Sequence, residues 1–583
     1  MGTNYKVYVA IMKKDWQILQ PDIQLVKNLS DILKCDPITA TLLVNRKVDT
    51  TESALKFLNP SLNNIRSPFS IKDMDTAVRR IYKAIKNAEK ILIFGDYDVD
   101  GITSTSILLN FLQNTGADVQ YYIPHRTKEG YSLQAMHISD YAIPNKINLI
   151  ITVDCGSGSH DAVKTAQEAG IDVIITDHHI ISKRLPKAFA VVNPKRHDCT
   201  AGFDNLAGVG VVFVLIICLR KFMRDMNFWQ DLPEPNLKAL CDLVALGTLA
   251  DSVPLVDENR IFASTGVQVI KTENNRPGIS ALLKICQIEN SYINSEDIAF
   301  KIAPRLNAPG RMEHANLSVE MLTTESLNDA VRMATSLNDF NILRRNIEKK
   351  IINDIHVYLA ENPDELEKRS LVLSAGDWHE GVLGIVASRL VDNYFRPVVV
   401  ISTKNGIGKG SARSIPGFDL YKVLSACSDD LVQFGGHSMA AGLKIKLKNI
   451  ERFKINFDNS VAADIKPADL TPKLSIDCEL DFDDISDRLI DEIESLTPFG
   501  NGNPEPLFTT KNVDIFSSKI VGKNHRSMLL KQSAGKIPKI FNAIHFNALT
   551  DAPLKDNFDR IAFRLRWNRW NGQKKVQIVV EEI

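Results

Sequence analysis

Residues 91–101, ILIFGDYDVDG, constrain this chain more than any other stretch. A short apolar run reads as a buried strand, and it ends in Asp96, Asp98, Asp100 and Gly101. Residues 102–114 read as a helix, with Ile107, Leu108, Phe111 and Leu112 on one face and Gly116 as its stop. Strand, acidic turn and helix make the first unit of an α/β sheet, and ligand sites in such sheets lie past the carboxyl ends of the strands. One Asp there is an ordinary turn or N-cap residue. Three alternating ones repel unless a cation neutralises them.

Two further stretches repeat the arrangement. Residues 148–153 form an apolar strand ending in Asp154, Cys155 and Gly156, and residues 171–176 form another ending in Asp177, His178 and His179. A fourth candidate is Asp251, in LGTLADSVPL, where the preceding run reads equally well as a strand or a helix end. The ligand set is oxygen-rich with one or two imidazoles. That favours Mg²⁺ or Mn²⁺, and the imidazole tilts the choice toward Mn²⁺. Only Cys155 is near, which argues against thiolate zinc. Several carboxylates around one point suit two ions, the common arrangement for phosphoryl hydrolysis.

GDYDVDG, VDCG, TDHH and LADSVPL, in this order, resemble the four motifs of the DHH phosphoesterase superfamily, and the full set resembles the RecJ family of single-strand-specific DNA exonucleases. The resemblance implies that Asp98, Asp100, Asp154, His178 and Asp251 bind metal, two ions of Mn²⁺ or Mg²⁺, with Asp96 and His179 helping metal geometry or holding the phosphate. It implies phosphate or DNA contacts for Arg126, after the strand that residues 123–126 close, and for Arg305, in a Pro/Gly-bounded loop that also holds Arg311. In a second lobe, three glycine-rich segments (378–384, 408–414 and 435–442) offer backbone donors to an anion. There Ser411 and Arg413 match the motif that holds a 5′ phosphate, with His437 as companion. Ser157-Gly158 stands where relatives often have Ile, and Val214 where Lys is common.

The 583 residues predict three or four domains. The expected class is α/β: a parallel-sheet catalytic domain (71–320) after an N-terminal helical extension (1–70), a connector helix (321–362), a smaller α/β DHH-associated domain (363–460) and a C-terminal OB-like β-barrel (461–583). Net charge is zero, but it is unevenly spread: eleven acids lie in residues 464–494, and residues 503–583 carry fourteen basic against seven acidic side chains. Residues 560–570 interleave arginines with aromatics in β alternation. Arg564, Arg566, Trp567, Arg569 and Trp570 therefore read as a face that tracks phosphates and stacks bases, or as an edge strand with gatekeeper charges.

Eight scattered cysteines without a close CxxC pair fit reduced cytoplasmic thiols. The N-terminus shows no signal peptide, and the longest apolar run, 206–219, is too short to cross a bilayer. The resemblance implies single-stranded DNA as partner, with a single-strand-binding protein or a helicase as candidate protein partners, although no further domain follows the barrel. The leading expectation is a 5′→3′ exonuclease that releases 5′-mononucleotides in DNA repair and recombination. The alternative is a phosphodiesterase or phosphatase of the same superfamily acting on short oligonucleotides or small nucleotides. A non-catalytic scaffold ranks last, because every expected ligand type is present.

Overall fold

The computed structural model describes residues 14–181, 184–272, 275–522, 524–532, 539–548, 556–570 and 573–583, with the Trp570 side chain outside that set. Its catalytic domain is built on five parallel strands in the order Val119–Tyr122, Ile91–Gly95, Leu149–Val153, Asp172–Thr176, Ala190–Val192. The second and third of these are fully buried, as a sheet covered on both faces requires. One row of the register runs Gly95, Val153, Thr176, Val192. The next residues, Asp96, Asp154, Asp177 and Asn193, therefore leave the sheet along one edge. Helix Val99–Gln113 starts within the acidic turn, where the Asp98 carboxylate caps it by accepting from the Asp100 and Gly101 amides. The run before Asp251 is the end of helix Cys241–Ala250, and Asp251 is its C-cap residue.

Residues 302–311, expected as a loop, are mostly helix Ala303–Met312. Pro304 lies in its first turn, where no amide donor is needed. The connector is a single helix, Leu327–Glu361, of 35 residues and about 50 Å, capped by Ser326 on the Asp329 amide. Its first half packs into the catalytic core and its second half into the core of the second lobe. That lobe has a five-stranded mixed sheet in the order Leu431–Gly436, Ala440–Lys446, Ile407–Arg413, Val398–Lys404, Leu371–Gly376.

In the C-terminal domain, strand Phe508–Val521 pairs with both His525–Gln532 and Asn557–Trp570, and Gln573–Glu582 pairs with Ile540–His545 and Asn557–Trp570. The N-terminal segment is not a separate extension. Leu29, Leu42, Leu43 and Ala54 share one core with Phe508, Phe563 and Ile578, and strand Asp15–Ile18 pairs with Lys473–Ile476. Buried Arg260 of the catalytic domain donates to the carbonyls of Phe57, Leu496 and Thr497, joining three parts of the chain. Among the described residues no helix is long and apolar enough to cross a membrane.

Candidate active site

The acids gather where the strand register delivers them. Asp96, Asp100, Asp154 and His178 are buried, while Asp98, His179 and Asp251 are half-buried. Asp154 adopts a left-handed backbone (φ 60°), an uncommon conformation away from glycine. Gly208, which opens helix Gly208–Asp225, leaves it room: a Cβ there would lie 2.5 Å from the Asp154 carboxylate. The same helix end donates the Gly208 and Val209 amides to Asp100, at 2.6 and 2.7 Å.

His178 shows what the cluster lacks. Its Nδ1 lies 3.0 Å from the Leu206 carbonyl, which can only accept, so Nδ1 carries the proton. Burial, with the neighbouring His179 charge, lowers its pKa to about 3 and keeps the ring neutral. The Nε2 lone pair then faces Asp154 Oδ1 at 3.2 Å, Asp251 Oδ2 at 3.7 Å and Asp100 Oδ2 at 3.8 Å. All are acceptors. Asp154 Oδ1, Asp96 Oδ1 and His178 Nε2 are buried and receive no hydrogen bond. Burial and then the Asp98 charge push Asp100 up to about 7, and burial with neighbouring carboxylates raises Asp96, Asp154 and Asp251 well above the usual range. Only cations relieve this arrangement without protonating it. Three ligand groupings fit: Asp154, His178 and His179; Asp100, His178 and Asp251; Asp96, Asp98 and Asp154. They overlap at Asp154 and His178, as ligands shared by two adjacent ions do. The donor set thus suits divalent metal.

Asp177 was missing from the sequence-derived site. Its Oδ1 accepts from the His178 and His179 amides and from His179 Nδ1 (2.8 Å), and its Oδ2 accepts from the Ser157 amide. Burial alone would raise the Asp177 pKa, but the bonds from His179 hold it below the ordinary value. Burial alone would lower that of His179, but Asp177 raises it to about 9. Asn193 was also missed. It donates to the His179 carbonyl and to Ser157 Oγ while accepting from the Lys195 amide. The position of both at strand ends was the signal.

Beside the acids, Arg126 lies over the ring of Tyr97, which stands between Asp96 and Asp98, at 4.7 Å. Arg413 bonds only to Ser411 Oγ and the Ala412 carbonyl among the described residues. Helix Leu383–Tyr394 begins against this pair: a Cβ on Gly384 would lie 2.8 Å from Arg413 Nη2 and 3.1 Å from Ser411 Oγ. Arg311, not Arg305, completes the group. Burial, then the charges of Arg126, Arg344 and Arg413, lower Arg311 to about 9, and its Nη1 donates to the Gly381 carbonyl at 3.3 Å. Arg305 turns toward the connector, donating to Asn338 and the Lys301 carbonyl. His437 is exposed, and burial and then the charge of His179 lower its pKa.

In the arginine-rich strand of the C-terminal domain, Arg564, Arg566 and Arg569 have carboxylate partners within the protein. Arg564 pairs with Glu505 and Glu581, Arg566 with Glu505 and Glu296, and Arg569 with Glu494 through two bonds. Trp567 is 9% exposed within the core and donates to Asp491, and Lys574 sits over its ring. Of the acids that neutralise these arginines, Glu494 comes from the acidic segment before the strand, whereas Glu505, Glu581 and Glu296 lie outside it. Trp570 was expected on the same face, but its side chain lies outside the described residues. Exposed apolar groups occur elsewhere in the domain, at Phe516 and Ile520 on the first long strand and at Phe546 in the turn after strand Ile540–His545.

The sequence matches the DHH family N-terminal domain over residues 90–248, the DHHA1 domain over 367–463 and the RecJ OB domain over 476–582. It is 37% identical over 576 residues to the single-stranded-DNA-specific exonuclease RecJ of Bacillus subtilis, covering 98% of this chain and 71% of that protein. It is 36% identical over 543 residues to that of Haemophilus influenzae, covering 91% and 93%. The fold superposes on the crystal structure of Thermus thermophilus RecJ in complex with Mn²⁺ with a TM-score of 0.82 at 26% identity, covering 97% of this chain and 79% of that one. The acids at the sheet edge, the second lobe facing them and these similarities together place the chain in the RecJ family.

Proposed function

We propose that this protein is a metal-dependent exonuclease that degrades single-stranded DNA from its 5′ end to 5′-mononucleotides. The observation that carries it is an acceptor-only cluster around Asp154 and His178 set beside Arg126 and Arg311 of the same domain, with Arg311 bonded to the second lobe at Gly381, three residues before the Gly384 that packs against Arg413. Asp98, Asp100, Asp154, His178 and Asp251, with Asp96 and His179 beside them, would hold Mn²⁺ or Mg²⁺. Such ions activate water and stabilise charge on phosphorus oxygens. Asp177 orients the two histidines. Ser411 and Arg413 bind the terminal 5′ phosphate beside the first turn of helix Leu383–Tyr394, and this sets polarity. Arg126 and Arg311 hold the next phosphate over the acids, and His437 closes the cradle. Arg305 contributes indirectly, by tying helix Ala303–Met312 to the connector.

The outward-facing Phe516, Ile520 and Phe546 are the better candidates for stacking bases on the C-terminal domain, because the arginine strand is internally paired. The eight cysteines are free thiols, in keeping with a cytoplasmic enzyme. A single-strand-binding protein or a helicase is the partner class to test by pull-down. The decisive assay incubates the protein and Mn²⁺ with DNA labelled at either end, single-stranded or duplex, beside an Asp154→Ala control. Stepwise 5′ loss on single strands only, absent in the control, is expected. Turnover of dinucleotides with long DNA left intact would transfer the assignment to the small-substrate phosphodiesterases.

A further inference from the structure

The connector helix buries one stripe along its length, and its chemistry changes where the two lobes meet. Ala334 and Leu337 belong to the catalytic core, and Ile351 and Ile355 to the second-lobe core. Between them, on the same stripe, lie Asn341, Arg344 and Glu348, only 3%, 8% and 3% exposed. Arg344 donates Nε and Nη2 to Asn341 Oδ1, at 3.2 and 2.8 Å, and Nη1 to Glu348 Oε2, at 2.8 Å. The other Glu348 oxygen pairs with Arg389. Arg389 stands on helix Leu383–Tyr394, whose Gly384 lies against Ser411 and Arg413.

Apolar residues of similar size would fill this turn at no cost in desolvation, and buried ion networks are often no more stable than such replacements. The Arg344 bonds stay within the connector and hold the Glu348 carboxylate in place, and the Glu348–Arg389 pair then joins the connector to helix Leu383–Tyr394 in one fixed arrangement. We propose that Glu348 is a positioning residue: through Arg389 it holds the helix that packs against the Ser411–Arg413 pocket onto the connector, whose other half packs into the catalytic core, and so sets how many nucleotides lie between the 5′ end and the bond that is cut. The inference rests on the reading of Ser411 and Arg413 as the 5′-phosphate pocket.

The test uses the full-length protein with Mn²⁺ and oligonucleotides bearing a 5′ phosphate or a 5′ hydroxyl. It compares wild type, Glu348→Gln and Arg389→Lys, and it reads kcat, KM and product length. The second variant keeps its charge but shortens its reach, and stands in if the first does not fold. A displacement of the order of 1 Å costs about 100-fold in such sites. Each variant is therefore expected to lose roughly tenfold or more in kcat/KM on 5′-phosphorylated DNA, to lose under about threefold on 5′-hydroxyl DNA, and to release some dinucleotides. Equal losses on both substrates, or mononucleotides alone with the 5′-phosphate preference intact, would overturn the positioning role. Absence of that preference in the wild type would instead overturn the reading of Ser411 and Arg413, so the two failures are separate.

Discussion

Replacing Asp154 by Asn should stabilise the metal-free protein and destabilise the metal-bound one. Asp154 is 1% exposed, and in the groupings it forms with Asp96 and Asp98 the ligand atoms lie within 4.8 Å of one another. Two full charges at that distance and an effective dielectric near 20 repel by about 3.5 kcal/mol. Proton uptake relieves part of this, since Asp96 and Asp154 are both raised well above the usual carboxylate range. The amide should therefore gain about 1–3 kcal/mol in chelator at pH 8. For domains of this size that is a rise of roughly 2–12 °C in Tm. Saturating Mn²⁺ reverses the order. At a hundred times Kd it stabilises the wild type by about 2.7 kcal/mol, whereas Asp154→Asn has lost a ligand shared by two groupings. Differential scanning fluorimetry with EDTA and with Mn²⁺ reads both arms. A variant that melts lower than wild type in EDTA, yet shows the same Mn²⁺ shift, would refute the account of this cluster as repelling carboxylates held for metal.

Asp177→Asn should weaken Mn²⁺ binding by about 10–100-fold without removing a ligand, because it loosens both histidines; isothermal titration measures it. Without metal, the raised pKa of Asp100 makes stability fall as pH rises from about 4 through about 7, by up to about 4 kcal/mol, and saturating Mn²⁺ should flatten that slope in pH-resolved melts. Arg566→Ala should cost about 0.5–1 kcal/mol of stability and leave the salt dependence of DNA binding unchanged, since its partners are Glu505 and Glu296. A salt slope reduced by about one would restore it as a phosphate contact.

The sequence by itself determined the catalytic sheet and most of its acids. Strand periodicity and terminal Asp or His are local patterns, and parallel strands in register bring their ends together, so the convergence of Asp96, Asp154 and His178 was legible from spacing, whereas Asp251, at a helix end, was reached through the resemblance. The 35-residue connector was legible for the same reason. Tertiary structure decided which charges are available. Arg305 and Arg311 share one helix, yet one turns to Asn338 and the other to Gly381 of the second lobe. Arg566 meets Glu505, 61 residues away, and Glu296, 270 residues away. The N-terminal helices share a core with strands at the other end of the chain. A local pattern states that a side chain is charged or apolar, but its partner is fixed by chain closure over hundreds of residues. Tertiary packing also buries three polar positions of one helical stripe, Asn341, Arg344 and Glu348, between the two cores, where Glu348 meets Arg389.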